Sequence, residues 1–338
     1  ESSVAGRVKL SPEFEKYVGQ PLSKIPDPFG DCHSNYAEHF LAPFFQAISE
    51  LGIEVEKLSA TQMYKSGKYT EVIKTALKKR DQIAQILEEV SKRELPENWS
   101  PFDPFCEKCG RIEQAKIVEY DLENNRVKYD CRCGHSGWAN FSKGQGKLSW
   151  RVDWPARWKM LGVTVEPFGK EHGTVGGSYD TGKRIAEEIF EYSAPFPARY
   201  EFIYLKGTQG KMSSSQGNVV AAQDMLAVVP PQIVRYILFK TPYNRHLDFD
   251  PGQGLVHIID EFSRLEAAYL ADKNIPDANL YEFCQIKTDG KTVPQIPFRH
   301  LVMAVQAGHG QLDQIKRILE RTEHDTQIED DFLSLQVK

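Results

Sequence analysis

Four of the six cysteines are arranged in two close pairs that could bind a metal ion. The pairs are Cys106-x-x-Cys109 and Cys131-x-Cys133, and a glycine follows each of them. Four thiolates on two such turns form the tetrahedral sulfur set that zinc prefers, and His135 is an alternative to Cys133 as fourth ligand. Two disulfides are the competing interpretation, which the absence of a recognisable secretory signal disfavours. We therefore predict a closed, structural zinc site.

A second group of candidate metal ligands lies in residues 27–39, just before an apolar helical pattern. It consists of Asp27, Cys32, His33 and His39. If the helix begins after His33, His39 can reach back to the preceding turn and close one tetrahedral site. If the helix already includes Cys32, about 10 Å separates Cys32 from His39, which is too far for a shared ion. The competing interpretation is an N-capped helix with a few polar residues at its start.

Three tryptophans, Trp150, Trp154 and Trp158, recur at every fourth residue with Asp153 among them. Aromatic walls beside a carboxylate suit an organic substrate that carries a cation. The alternative, which spacing alone favours, is a helix that buries one tryptophan face.

A glycine-rich polar loop, residues 169–182, follows the strand-like residues 163–168. Ile185, Ala186, Ile189 and Phe190 then fall on one helical face. The order strand, glycine-rich loop and helix is typical of sites for nucleotides or carboxylates, because the backbone and an exposed helix N-terminus can approach the ligand. A simple crossover turn is the alternative.

The run Lys211-Met212-Ser213-Ser214-Ser215 follows a strand-like segment, residues 202–205, and precedes a helical pattern. Loops at the carboxyl ends of parallel strands are common nucleotide-binding positions. One lysine charge, several hydroxyls and the loop amides can all bind phosphate oxygens. A plain surface turn is the competing interpretation.

The surrounding elements are predicted from periodicity. Residues 116–120 and 126–129 alternate like two strands of a hairpin with its turn at residues 123–125. Helices are predicted at residues 219–226, 231–238, 254–270, 301–307 and 312–320. Cys284 has no partner in the sequence pattern and is predicted to be a buried apolar residue.

The composition is that of an ordinary soluble protein with more than one domain, at 338 residues, 41% hydrophobic and 26% charged. No apolar run approaches the ~20 residues of a membrane span, so we expect a cytoplasmic protein without a membrane partner. The formal net charge of −5 argues against nonspecific binding of polyanions by the whole surface. The basic residues 74–80 and 316–317 are candidate contacts to a nucleic acid or solvated helix faces.

Taken together, these motifs resemble class I aminoacyl-tRNA synthetases, and the class I lysyl-tRNA synthetases in particular. The resemblance extends over residues 14–332 and rests on six motifs in order: residues 27–39, residues 64–69, the cysteine pairs, residues 150–158, residues 169–182 and residues 211–215. It implies an α/β fold with a Rossmann-like catalytic core, an inserted zinc-ribbon connective peptide, and an α-helical stem-contact and anticodon-binding region. The implied reaction forms lysyl-adenylate from L-lysine and ATP, and then transfers lysine to tRNA(Lys).

The resemblance also implies roles for individual residues. Trp150 and His172 would enclose the lysine side chain, with Asp153 and Asp180 as nearby polar candidates. ATP, with Mg²⁺, would be bound by Gly169, Glu171, Gly173, Lys211, Met212, Ser213, Ser214 and Ser215. Lys211, Ser213 and Ser214 are the implied catalytic residues, and Lys211 would stabilise the charge on the α-phosphate. Many class I enzymes have a lysine at the position of Ser214. A zinc site of the family corresponds to Asp27, Cys32, His33 and His39.

The implied domains are residues 1–100 (part of the Rossmann core and connective peptide), 101–145 (zinc ribbon), 146–218 (second half of the core), 219–270 (stem-contact helices) and 271–338 (start of the anticodon-binding domain). None of the nine histidines forms the histidine-glycine-histidine motif that class I enzymes carry after their first strand. We therefore expect this chain to lack the first βα unit and part of the helical domain, and to show no lysine-dependent ATP–pyrophosphate exchange by itself. The alternatives are a non-catalytic, zinc-containing tRNA-binding fragment and another adenylyl-transferring enzyme of the same superfamily.

Overall fold

A computed structural model describes residues 12–92, 94–112, 114–207, 220–286 and 296–322. The chain forms two compact units. Among the described residues, the first contains residues within 12–43 and 55–201, and the second contains residues 44–54, 202–207, 220–286 and 296–322. Within the described ranges, no helix has both the length and the apolar character that crossing a bilayer requires. The domain boundaries inferred from the sequence stay predictions.

The first unit begins with short helical elements. Two 3₁₀ turns, Pro12–Tyr17 and Leu22–Lys24, precede the helices α1 (Tyr36–Glu50), α2 (Ala60–Lys65), α3 (Thr70–Lys78) and α4 (Arg80–Ser91). Residues 44–50 of α1 belong to the second unit. Ser59 caps α2 by accepting a hydrogen bond from the Gln62 amide at 3.3 Å. Helices α3 and α4 each bury one face in the main core of the first unit. The buried residues are Val72, Ile73, Ala76 and Leu77 on α3, and Ile83, Ile86 and Leu87 on α4.

The middle of the first unit is a small antiparallel structure. Its strands are β1 (Phe102–Pro104), β2 (Ala115–Asp121), β3 (Arg126–Cys131), β4 (Ser136–Asn140) and β5 (Gly146–Leu148). Strands β2, β3 and β4 form one sheet in that order, and β1 pairs with β5. The predicted hairpin is confirmed, and Asn125 adopts a φ of 56° in its turn. The sequence analysis missed β4, because Gly137 and small polar residues weaken its strand pattern.

The remainder of the first unit is a parallel strand pair joined by a helical crossover. Helix α5 (Trp150–Leu161) leads to β6 (Val165–Gly169), a 3₁₀ turn (Lys170–Gly173), α6 (Ser178–Arg184), a π-helical turn (Ile185–Ile189) and β7 (Phe196–Tyr200). The register of β6 and β7 runs from Val165 opposite Phe196 to Gly169 opposite Tyr200. The predicted order of strand, glycine-rich loop and helix is therefore confirmed, with the strand ending at Gly169.

The second unit is mainly helical. The parallel strands β8 (Ile203–Leu205) and β9 (Leu247–Phe249) accompany α7 (Ala222–Leu226), α8 (Pro231–Lys240), α9 (Gln253–Ala271), α10 (Ala278–Cys284), α11 (Phe298–Ala307) and α12 (Leu312–Arg321). All five predicted helices are confirmed to within a few residues, and α10 is additional. Cys284 is fully buried in the core formed by α8, α9 and α10, as predicted. Leu301, Ala304, Ile315 and Leu319 form a separate small core between α11 and α12.

Candidate metal centres and aromatic cavity

The two cysteine pairs converge at one end of the three-stranded sheet. The Sγ atoms of Cys106 and Cys133 lie 3.6 Å apart, and those of Cys109 and Cys131 lie 3.7 Å apart. All four Sγ atoms lie within 4.8 Å of one another, and none of the four cysteines forms a disulfide. A zinc ion with Zn–S distances of about 2.3 Å places its sulfur ligands about 3.8 Å apart. The thiols therefore already lie near the corners of a zinc-sized tetrahedron.

The electrostatic surroundings of this cluster favour at least one thiolate. Burial opposes ionisation of Cys106, but hydrogen bonds from the Cys109 and Lys108 amides lower its pKa to about 6. His135, the alternative fourth ligand, lies elsewhere: its Nε2 atom is 2.7 Å from the Glu107 carboxylate. The geometry therefore groups Cys133, and not His135, with the other three thiols.

The second candidate cluster also comes together. Cys32 Sγ lies 3.0 Å from Asp27 Oδ2, 3.2 Å from His33 Nδ1 and 3.3 Å from His39 Nδ1. One ligand atom from each of the four residues falls within a 4.8 Å group. Zinc bonds of about 2.0 to 2.3 Å place mixed nitrogen, oxygen and sulfur ligands about 3.3 to 3.7 Å apart. The donor set and its spacing therefore fit one tetrahedral ion.

The start of α1 explains why these four side chains meet. The helix begins at Tyr36, and Asn35 Oδ1 caps it by accepting a hydrogen bond from the Glu38 amide at 3.1 Å. Cys32 and His33 therefore belong to the preceding turn, as the first of the two sequence alternatives requires. The Asp27 side chain is fully enclosed. Burial would raise the pKa of its carboxyl, but hydrogen bonds from the Cys32 thiol and the Phe29 and His33 amides lower it.

An aromatic cavity of about 400 Å³ lies beside α5 and β6. Trp150 and His172, the two residues expected to enclose lysine, contact each other edge to face, with their ring centroids 5.5 Å apart and their planes at 76°. Trp150 is 45% exposed, whereas Trp154 and Trp158 are buried. The cavity is lined by Trp150, Trp154, Arg157, Trp158, Leu161, Val163, Glu166, Pro167, Phe168, Gly169, Glu171, His172 and Tyr200.

The three tryptophans have different environments, and the predicted burial of a tryptophan face is seen at Trp154 and Trp158. Trp158 is fully buried, and its indole nitrogen donates a hydrogen bond to Glu166 at 2.8 Å. Trp154 packs between Trp158 and Phe168, with ring-centroid distances of 5.0 and 5.5 Å. Of the three, only Trp150 is exposed. The helix thus buries two of its tryptophans and leaves the third accessible in the cavity lining.

The two predicted polar neighbours of lysine do not line the cavity. Asp153 accepts a hydrogen bond from the Tyr64 hydroxyl at 2.6 Å and forms an ion pair with Arg157 at 2.9 Å. Asp180 accepts a hydrogen bond from the Gly176 amide at 3.0 Å within the glycine-rich loop. In the described residues, both carboxylates thus hold protein groups in place. Arg157, which belongs to the same tryptophan-rich segment but was not predicted as a site residue, lines the cavity instead.

Tyr64 is a residue whose contribution the sequence did not reveal. Its hydroxyl donates to Asp153 and accepts from the Leu148 amide at 3.0 Å, so it joins β5 to the first turn of α5. Burial and the Asp153 charge raise the pKa of Tyr64, which keeps the hydroxyl protonated as a donor.

We expect Tyr64→Phe to lower the free energy of unfolding by about 1 to 3 kcal/mol, because a buried amide and a carboxylate lose their partner. Urea denaturation measures the change. Tyr69→Phe is the matched control, since the buried Tyr69 hydroxyl has no hydrogen-bond partner in the described part of the chain. Equal losses in the two variants would contradict this role for Tyr64.

The glycine-rich loop is shaped partly by close packing. Gly176 has a φ of 72°, and a Cβ atom there would lie 2.7 Å from the Val90 carbonyl oxygen. A Cβ atom on Gly182 would lie 3.0 Å from the Trp158 ring. Of the predicted ATP-binding residues, Gly169 and Glu171 line the aromatic cavity, and Gly173 packs against Arg199. The loop therefore meets the cavity at its first turn.

The remaining predicted site residues, Lys211, Met212, Ser213, Ser214 and Ser215, lie outside the described residues.

The comparison with family models and the comparison with curated proteins indicate the same family. The model of the family "tRNA synthetases class I (K)" matches residues 4–288. Lysine–tRNA ligase 1 of Methanosarcina acetivorans is 50% identical over 323 residues, which cover 95% of this chain and 60% of that protein. The lysine–tRNA ligase of Archaeoglobus fulgidus is 48% identical over 314 residues, which cover 93% of this chain and 60% of that protein.

Among solved structures, Mycobacterium tuberculosis methionyl-tRNA synthetase in complex with methionyl-adenylate matches with a TM-score of 0.35 and 11% identity, over 87% of this chain and 66% of that one. A likeness at that level carries no argument. The chain spans about 60% of the length of the curated relatives. The family match over most of the sequence nevertheless places this chain, with its α/β fold, in the class I (lysine) tRNA synthetase family.

Proposed function

We propose that this protein is a lysine–tRNA ligase and that the aromatic cavity beside α5 binds the side chain of lysine. The observation that supports this proposal most is the contact of Trp150 with His172 in the wall of a cavity of about 400 Å³. Aromatic faces attract an alkyl ammonium group, and the carboxylates of Glu166 and Glu171 add negative charge to the same cavity. The names of the relatives support this assignment.

In the proposed reaction, a carboxylate oxygen of lysine attacks the α-phosphorus of ATP, and the bond to the leaving pyrophosphate breaks. Gly169, Glu171 and Gly173 lie at the end of β6, where parallel strands commonly present a nucleotide site. Lys211 contributes a positive charge that stabilises the developing negative charge on the α-phosphate, and Ser213 and Ser214 contribute hydrogen bonds. Mg²⁺ accompanies the ATP phosphates. The adenylate then passes lysine to the terminal ribose of tRNA(Lys).

We also propose that both side-chain clusters bind zinc as structural ions. The spacing of the four thiols and the spacing of the Asp27, Cys32, His33 and His39 ligand atoms support this proposal. All four positions of each tetrahedron are occupied by protein groups, which is typical of a structural site and not of a catalytic one. The sheet of β2, β3 and β4 with its four thiols, which we call the ribbon, would then be the connective peptide. The helices of the second unit would provide the stem-contact and anticodon-binding region.

Amino-acid-dependent ATP–pyrophosphate exchange by the natural gene product tests the proposed reaction. We expect exchange with L-lysine and none above background with the other standard amino acids. Trp150→Ala should raise the KM for lysine at least tenfold, because it removes an exposed aromatic wall of the cavity. Trp138→Ala, which removes a tryptophan that does not line the cavity, is the matched control.

The same assay separates the competing functions. Exchange driven by a different acid substrate would indicate another adenylyl-transferring enzyme. Absence of exchange with every amino acid, combined with retained tRNA binding, would indicate a non-catalytic tRNA-binding protein. Either outcome would overturn the proposed lysine–tRNA ligase function.

A further inference from the structure

Three separate segments of the first unit bring exposed lysines to one area of its surface. Lys24 ends the 3₁₀ turn Leu22–Lys24, and Lys65 ends helix α2. Lys68 follows three residues later in the turn before α3. Lys143 ends the 3₁₀ turn Phe141–Lys143 between β4 and β5. All four side chains are exposed, and we call this set the lysine patch.

Direct contacts show that these segments are neighbours. Thr61 Oγ1 of α2 lies 3.4 Å from Ser23 Oγ, one residue before Lys24. A Cβ atom on Gly144, the residue after Lys143, would lie 2.9 Å from the Lys65 amide nitrogen.

A second link joins Lys24 to the segment that carries Lys143. The Lys24 ammonium lies 4.9 Å from the centre of the Phe105 ring. The Phe105 amide in turn donates a hydrogen bond to the Gln145 carbonyl at 3.1 Å. Lys24, Lys65 and Lys143 are therefore held close together by the fold itself.

The charges of the lysine patch are not neutralised within the described residues. No carboxylate there forms an ion pair with any of the four lysines, whereas other cations of the unit are paired, such as Arg126 with Asp121 at 2.7 Å. Partial burial is the larger cause of the lowered pKa of Lys24, and the nearby charge of Lys65 lowers that pKa further. The chain as a whole has a net charge of −5, so this local accumulation of positive charge is a distinct feature of the surface. It favours the binding of an external anion.

We propose that the lysine patch binds the phosphate backbone of RNA. Lysines act as point charges toward phosphate and carry no base information, so they suit a backbone contact. They are exposed and come from three segments, and none of them lines the aromatic cavity. A row of phosphates fits this arrangement better than one enclosed phosphate group. The inference rests on the proposed function, since it assigns a contact surface to the tRNA that the reaction requires.

Salt-dependent RNA binding tests the lysine patch. Each lysine that neutralises a phosphate releases counterions, so the plot of log affinity against log salt loses about 0.7 to 0.9 in slope per lysine removed. The test variant is Lys24→Gln/Lys65→Gln/Lys143→Gln in the full chain. The control variant, Lys92→Gln/Lys116→Gln/Lys183→Gln, removes three exposed lysines from the C-cap of α4, from β2 and from α6. Both variants lower the net charge by three.

Fluorescence anisotropy with a transcribed tRNA, at 50 to 300 mM KCl, provides the readout. We expect the patch variant to bind at least tenfold more weakly at low salt, with a slope smaller by about 2 to 3, and the control variant to retain most of its slope. Lys24→Arg/Lys65→Arg/Lys143→Arg should restore the slope, because it restores the charges.

Three results would overturn the inference. An equal loss of slope in the two glutamine variants would show that only total charge matters. An unchanged slope in the patch variant, with tight binding by the wild type, would overturn the lysine patch and leave the proposed function intact. No tRNA binding by the wild type at any salt would overturn both.

Discussion

Replacing Cys109 by serine is expected to remove one zinc ion per chain and to unfold the ribbon locally. Serine cannot provide the thiolate that completes the set of four sulfur atoms, which lie within 4.8 Å of one another. Structural zinc contributes about 10 to 16 kcal/mol in small zinc-binding peptides, so the antiparallel strands around it depend strongly on the ion. Inductively coupled plasma mass spectrometry measures the zinc content, and hydrogen exchange of β2 and β3 reports the local unfolding.

Two cysteine replacements elsewhere serve as controls for this result. Cys284→Ser changes a buried thiol in the second unit and should leave both zinc ions bound. Cys32→Ser should release the other zinc ion while β2 and β3 keep their protection. Retention of full zinc content by the Cys109→Ser variant would rule out the proposed four-sulfur site.

Replacing Trp158 by alanine is expected to lower the free energy of unfolding by about 3 to 5 kcal/mol. Its ring is fully buried and packs against Trp154, Tyr179 and Gly182. The variant also removes the donor to Glu166. Urea denaturation followed by far-ultraviolet circular dichroism measures the loss.

Trp150→Ala is the matched control on the same helix. Because Trp150 is 45% exposed, its removal should change stability by less than about 1 kcal/mol while it weakens lysine binding. Comparable destabilisation by the two variants would contradict the division of α5 into a buried face and a ligand-facing tryptophan.

The metal clusters were predictable from the sequence because their ligands lie in short stretches of the chain. The cysteine pairs are each confined to one turn, so their spacing alone predicted that the thiols would meet. For Asp27, Cys32, His33 and His39, the sequence left two helix starts open. The Asn35 cap fixes the start at Tyr36, and this is the arrangement that brings the four residues together.

The surroundings of the cavity were less predictable, because they depend on contacts between distant parts of the chain. Asp153 was selected as a neighbour of lysine from its position between tryptophans, but its hydrogen-bond partner Tyr64 lies 89 residues away. Periodicity contains no information about such a pair. Strand β7 was missed for a different reason, since Pro197 and Ala198 interrupt any apolar alternation and only pairing with β6 makes the segment extended.

The topology of the first unit also implies an order of assembly. In the ribbon, residues paired across adjacent strands are close in sequence, such as Asp121 with Arg126 and Asp130 with Ser136. Hairpins of this kind form within about 1 to 10 μs, whereas pairing of Val165 with Phe196 must wait for the whole crossover between β6 and β7. We therefore expect the antiparallel strand pairs of the ribbon to form before the parallel pair of β6 and β7 when the chain refolds.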